Sequence, residues 1–238
     1  MQYKLGRLAP KPMHSPDFTH YLKSPLEEPP LSVTAPNLTY PMADNDKIGD
    51  CTIASVIHCD QVWSSEVKET YEYPGDEEVR AEYFTLSGGQ DSGLVEQNVL
   101  QKWKNQGLFG NKIWGYAPVA PKHTHAIKQV VANYGAVYTG ILMPQPAQEQ
   151  FATGQPWTLT GTQADYNVLG GHAVPIVGYG IDGPTIVTWG KLQKVTWQWW
   201  MTYSEEAWVI LPHEFIEAGR GPTLDLKALE DELTRIGG

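Results

Sequence analysis

The hydrophobic positions change period part-way along the chain, and that change predicts the architecture. From Cys51 onward, Ile53, Ala54, Ile57 and Val62 recur near helical spacing, so a helix is expected to open at about Cys51. A second helix fits Asp76–Leu86. After a loop over 87–93, a third runs to about Gly107 with Val95, Val99 and Trp103 on one face. A short helix fits 125–134. Beyond it, apolar runs rich in β formers and bounded by turn residues predict strands at 136–143, 172–178, 185–189 and 207–211. Helices first and strands after them is an α+β layout in two lobes, one helical and one of antiparallel strands. The stretch 224–236 has an amphipathic helical pattern and is expected to pack on the outside.

Before the first helix the pattern is neither helical nor alternating. Residues 1–40 are punctuated by Pro10, Pro12, Pro16, Pro25, Pro29, Pro30 and Pro36, which favour extended and polyproline conformations. This arm reads as a strap over the surface of a domain spanning 41–215, with 216–238 as a helical tail. Its alternatives are a propeptide or an arm that docks on a partner. A formal charge of -10 argues against a nucleic-acid partner, which would require basic surface to neutralise phosphates, and against anionic lipid. The first residues contain no apolar core of a secretory leader, and the most apolar run is too short and too glycine-broken to span a bilayer. Asn37-Leu38-Thr39 is a glycosylation sequon that, without export, stays inert.

The cysteines, Cys51 and Cys59, sit on one predicted helix roughly 12 Å apart. A disulfide needs Cα atoms within about 7 Å, so these two are expected to remain free thiols. Free thiols without an export signal point to a reducing, cytoplasmic compartment, or to a virion.

Candidate chemistry concentrates at two places. Gly49-Asp50-Cys51 opens a helix, where the macrodipole and free backbone N–H groups favour a thiolate and can hold an oxyanion. Cys59, deep in the same helix, reads as a structural core residue. In Gly170-Gly171-His172-Ala173-Val174, a histidine heads an apolar strand behind two glycines. It can present its ring to a cleft as the base that activates a cysteine.

Taken in order, Gly-x-Cys opening a helix, the pair Gly88-Gly89, Gly171-His172-Ala173-Val174 running on to Val177-Gly178-Tyr179-Gly180, and Trp189-Gly190 resemble the papain-like cysteine peptidases. The run Asn45-Asp46-Lys47-Ile48-Gly49-Asp50-Cys51 is similar to the Asn-Asp-x-x-Gly-Asp-Cys motif of divergent papain-like proteins of bacteria and tailed phages. The resemblance implies a papain-like fold, with the cysteine on the helical lobe and the histidine on the β lobe. It implies Cys51 as nucleophile and His172 as base, the sulfur within about 4 Å of a ring nitrogen. Asn45 stands where the family has its oxyanion glutamine, and its amide donates the same kind of hydrogen bond. Val187 stands where the family has the asparagine that orients the histidine. The orienting role is then vacant or falls to Thr188 or a backbone carbonyl, although strand alternation puts Thr188 and Val187 on opposite faces unless the register shifts. Gly88, Gly89, Gly171 and Trp189 are implied as substrate-binding positions. Asp50 sets a carboxylate beside the thiol, which opposes its ionisation unless it points away.

Other patterns carry less. Gly178-Tyr179-Gly180-Ile181-Asp182-Gly183 matches a dinucleotide fingerprint, but Pro184 and a β run follow where a helix should start. Asp44-Asn45-Asp46 lacks the remaining ligands of a calcium loop, and His123 and His125 have no further ligands near them, so no metal is expected. The expected function is hydrolysis of a peptide or isopeptide bond, or acyl transfer by the same machinery, on a peptide or protein substrate and without a cofactor. The alternative is a papain-like module with weak or no catalysis in a binding or structural role, for example in a phage particle.

Overall fold

A computed structural model describes residues 3–11, 18–23, 26–67, 70–161, 167–219 and 224–236. Eight α-helices are described: α1 Cys51–Val67, α2 Asp76–Leu86, α3 Glu96–Asn105, α4 Thr124–Tyr134, α5 Gln145–Ala152, α6 Trp197–Tyr203, α7 His213–Glu217 and α8 Leu226–Ile236. The six strands are β1 Ile113–Pro118, β2 Val137–Pro144, β3 Val168–Tyr179, β4 Pro184–Thr188, β5 Lys191–Lys194 and β6 Ser204–Pro212. They form one antiparallel sheet in the order β1-β6-β2-β3-β4-β5. This is the α+β layout that the change of period predicts. Of these α-helices and strands, five fall where no helix or strand is expected: β1, α5, β5, α6 and α7.

Helix α1 packs on β3 and is buried from Cys51 through Ser64. A helix buried on every side cannot show a clean apolar stripe, and its polar groups must find partners inside. His58 Nε2 meets the Pro41 carbonyl at 2.9 Å, Gln61 Nε2 donates to Thr39 O at 3.2 Å, and Asp60 Oδ2 accepts from Asn111 Nδ2 at 3.2 Å. Aromatic rings fill the junctions around α1. Trp63 lies 5.7 Å from Trp103 and donates its N–H to Tyr134 O at 2.7 Å. Truncating a ring so placed costs about 3–5 kcal/mol.

The proline-rich arm divides in two. Along residues 26–41, Val33 exchanges both backbone hydrogen bonds with Tyr179, at 2.9 Å each, and Tyr179 donates its hydroxyl to Pro30 O. The bare Cα of Gly178 makes this possible, since a Cβ there would stand 2.6 Å from Ala35 N. Pro12, Pro16 and Pro25 lie outside the described residues. Residues 3–11 depart from the expected surface path and run between α1 and α3 on one side and β3 on the other.

Candidate active site

Asp50 sets the start of α1. Its carbonyl accepts from Ile53 N at 2.8 Å and Ala54 N at 3.0 Å, so Cys51 is the first helical residue and its own N–H has no intrahelical acceptor. The loop before it is folded on itself through Asn45 N to Met42 O and Ile48 N to Asp44 O. Burial opposes ionisation of Asp44, but hydrogen bonds from Lys47 and Arg80 outweigh it and hold its pKa below the usual carboxylate value. Arg80 lies on α2, so this ion pair ties the Cys51 loop to that helix. A second tie runs through Asp91 Oδ1, which accepts from Gly49 N at 2.8 Å and from the Tyr83 hydroxyl at 2.9 Å.

His172 enters from β3. In the β3–β4 register Ile176 faces Ile186. Paired residues of an antiparallel sheet share a face, and every second residue along each strand returns to it. His172, Val174, Ile176, Ile186 and Thr188 therefore lie on one face and Val187 on the other. His172 Nε2 lies 2.8 Å from Thr188 Oγ1, while Val187 is buried in the core. Trp189 leaves the strand at φ 44° and stacks on the imidazole, centroids 4.6 Å apart at 20°.

Cys51 Sγ accepts from the backbone N–H of Ala173, the residue after His172, at 3.3 Å, and the Gly6 N–H also points at it. No hydrogen bond joins the sulfur to the imidazole, and His172 Nδ1 is buried without a partner. Both groups are held neutral. Burial pushes the Cys51 thiol up to about 12 against the two backbone N–H groups, and burial aided by Arg7 pushes His172 down to about 3. Asn45 Nδ2 donates to Asp50 Oδ1 at 3.0 Å, which ties the Asn45 amide to the residue before Cys51. Burial raises the pKa of Asp50 well above the usual carboxylate value. That favours the neutral acid and weakens its opposition to a thiolate.

Residues 3–11 close the site. Tyr3 stacks on Trp189 at 4.6 Å and meets Phe151 edge-on, and its backbone N–H and C=O are both bonded by the Gln148 side chain at 3.0 Å. Trp189 donates its indole N–H to Lys4 O. Gly6 O accepts from Leu94 N at 2.8 Å, Leu8 N donates to Leu94 O at 2.9 Å, and Arg7 N donates to Gly171 O at 3.1 Å. Glycine is required here. A Cβ on Gly6 would stand 1.8 Å from Gly49 O, and one on Gly93 would stand 2.2 Å from Gly6 O. An extended chain thus crosses directly over the thiol, bonded to both walls.

Of the residues singled out from sequence, the structure brings together Cys51, His172, Asn45, Thr188, Gly171 and Trp189. It does not bring Gly88 and Gly89 to them. Both lie exposed on the turn after α2, and the backbone that pairs with residues 6–8 is that of Leu94.

Neither a protein-family model nor a curated protein sequence matches the chain. Solved structures do. Xylellain, a cysteine protease from Xylella fastidiosa, superposes with a TM-score of 0.65 at 16% identity, over 89% of this chain and 98% of its own. The cysteine protease and lectin-like domains of Cwp84 from Clostridium difficile give 0.59 at 11% identity, over 88% and 55%. Digestive procathepsin L 3 of Tenebrio molitor gives 0.54 at 12%, over 88% and 76%.

The chain has the papain-like fold.

Within that fold, the residues missed from sequence are those of the segment in the cleft and its seat: Tyr3, Gly6 and Arg7, with Leu94, Gln148 and Phe151. The signal available was Leu94-Val95 directly preceding α3, a better place for a cleft edge than a glycine pair five residues earlier. Nothing local marks Gly6. Among the described residues, no helix is long and apolar enough to cross a membrane.

Proposed function

We propose that this chain is a cysteine peptidase whose cleft is held closed by its own residues 3–11. The observation that carries the reading is the extended backbone seated over Cys51, paired to Leu94 on one wall and Gly171 on the other. That is the placement a peptide substrate would need. With the segment displaced, the Nε2–H tautomer of His172 donates to Thr188 and Nδ1 takes the Cys51 proton. The thiolate attacks the carbonyl carbon, and the oxyanion meets the Cys51 N–H and the Asn45 amide. Collapse expels the amine, which takes the proton from imidazolium, and water activated by the same nitrogen hydrolyses the thioester.

A second reading is favoured by the same closed site. Thiol and imidazole are not bonded to each other and both are uncharged, which suits a papain-like module that binds through its cleft without catalysis. One experiment separates the two. Gly6→Ala places a methyl where Gly49 O stands and should evict the segment. The full-length variant should hydrolyse members of a broad peptide library, Gly6→Ala/Cys51→Ala should not, and wild type should be slow. A well-folded Gly6→Ala protein that opens its cleft yet cleaves nothing would favour the binding module.

A further inference from the structure

The backbone of residues 3–11 explains how the segment lies in the cleft, and one of its side chains shows what else the cleft is shaped to hold. Arg7 points away from Cys51 into the sheet and is buried. Its two terminal nitrogens both reach Glu205 Oε2, at 2.7 and 2.6 Å, and its Nε donates to Glu206 Oε1 at 3.0 Å. Nε also lies 3.7 Å from Glu96 Oε1. Three carboxylates from two elements, the first residue of α3 and the start of β6, thus converge on one guanidinium.

The seat is built into the backbone as well. Across three neighbouring strands the register sets Glu206 beside Gly140 and Gly140 beside Ala173, the residue whose N–H meets the Cys51 sulfur. Gly140 leaves the floor open, since a Cβ there would stand 2.2 Å from Arg7 Nε. A Cβ on Gly171 would stand 3.1 Å from an Arg7 terminal nitrogen. Glu96 is fully buried and neither of its oxygens completes a hydrogen bond, because the Trp208 indole beside it gives its N–H to Glu206. Burial, aided by Glu206, raises the pKa of Glu96 well above the usual carboxylate value, and the Arg7 guanidinium beside it opposes that rise. A cavity of about 600 Å³, bordered by Pro118, Val130 and Trp208, reaches Glu205 and Glu206 from outside.

We propose that Glu96, Glu205 and Glu206, on the floor made by Gly140 and Gly171, form a substrate pocket for a cationic side chain, arginine above lysine, next to the scissile bond. The inference rests on the peptidase reading, because it takes Arg7 as a stand-in for a substrate residue. Any extended chain that pairs with Leu94 and Gly171 over Cys51 drops a side chain where Arg7 lies. Arginine is preferred because one planar fork serves Glu205 twice and Glu206 once, whereas an ammonium is a point charge on a thinner stem.

The test uses full-length Gly6→Ala, with Arg7→Ala as a second route to an open pocket should the first fold poorly. Each protein is treated with acetyl-dipeptidyl chloromethyl ketones carrying arginine, lysine, citrulline or leucine at the first or second residue from the warhead. The Cys51 sulfur displaces chloride to form a thioether, its proton passing to His172 or solvent. Mass spectrometry then times the labelling of Cys51. Citrulline keeps the shape of arginine and lacks its charge. At one of the two positions arginine should label at least ten-fold faster than citrulline, with lysine between them, and Glu206→Gln should collapse that ratio. Equal rates for arginine and citrulline, a ratio that survives Glu206→Gln, or no labelling of Cys51 by any reagent in either variant would each overturn the pocket. Arginine-ranked labelling without hydrolysis of any peptide would end the peptidase reading and leave the pocket standing. Hydrolysis with no arginine rank would do the reverse.

Discussion

Cys51 and Cys59 lie about two turns apart on one helix, both buried and both free, each close in the chain or in space to a buried histidine. Their surroundings differ in what does the burying. His58 is covered by residues 40–41, which lead directly into the loop before Cys51: its Nε2 meets the Pro41 carbonyl, and the buried Tyr40 lies edge-on to its ring at 5.6 Å. Burial pushes Cys59 well above an ordinary thiol, aided by Asp60 and Glu96, with no backbone N–H against it. Cys51 and His172 are covered by a single strand of chain, residues 3–11, and the sulfur receives two backbone N–H groups. One pair is buried by the fold and the other by a lid. On the peptidase reading, Cys59 is inert and Cys51 latent, because residues 3–11 leave the cleft while the rest of the domain stays folded.

Removing the lid should break that symmetry with the largest effect. In full-length Gly6→Ala, iodoacetamide labelling of Cys51 at neutral pH should accelerate strongly, while Cys59 stays at its wild-type rate. Recovery from about 12 to an ordinary thiol value near 9 would amount to about a thousand-fold in thiolate. Equal acceleration at both thiols would mean that Gly6→Ala loosens the whole domain, and the comparison would fail.

The acid limb of stability sharpens the same contrast on the histidine side. Burial lowers His58 to about 4 from an ordinary 6.5, so the folded form holds it neutral. Below pH 6.5 the unfolded chain takes a proton that the folded one refuses. Stability is therefore lost as pH falls from 6.5 to about 4 and is untouched above it. The loss is about 3 kcal/mol. Asp50, Asp60, Glu96 and Glu206 are raised by burial and act in the opposite sense, but equally in wild type and in His58→Gln. Urea titrations of the two proteins from pH 7 to pH 4 should converge as pH falls, and parallel curves would refute the assignment. The convergence should persist in a Gly6→Ala background, because residues 40–41, not residues 3–11, meet His58.

What the sequence shows of this molecule follows the range of the interactions. Helix α2 carries three acidic residues in its first turn after Gly75, and its bounds are legible from local pattern alone. Helix α6 was missed because Trp197-Gln198-Trp199-Trp200 reads as β-forming, although Thr196 caps it by accepting from Trp199 N at 3.3 Å. Edge strand β1 was missed because Gly115 and Pro118 interrupt it, and the glycine is there to admit Leu229 and Leu233 of α8. At the site, Cys51 and His172 carry local signatures, whereas the edge at Leu94 that pairs with residues 6–8 carries none, unlike the glycine pair Gly88-Gly89. The Arg7 seat joins residues about two hundred positions apart, and no local pattern encodes such a pairing.

The smallest expected effect concerns Thr188. Counting back two residues from Trp189-Gly190 leads to Val187, which cannot orient a ring, yet the Ile176–Ile186 register places Thr188 on the histidine's face and its hydroxyl at 2.8 Å from Nε2. A neutral hydroxyl fixes the tautomer and the ring plane but contributes little to the stability of imidazolium. A neutral hydrogen bond is worth about 0.5–1.5 kcal/mol net, which corresponds to about ten-fold in rate or less. In a Gly6→Ala background, Thr188→Val should lower kcat by about that factor with KM little changed, and Thr188→Ser should restore it. The pH profile adds a readout that simple loss of packing would leave in place. Without a partner at Nε2 the ring can adopt the tautomer with its proton on Nδ1, which cannot accept from the thiol, so the acid limb of kcat/KM should shift in Thr188→Val and return in Thr188→Ser. If valine and serine lower kcat alike and neither moves the acid limb, the Thr188 hydroxyl does not position His172, and Trp189 stacking alone holds the ring.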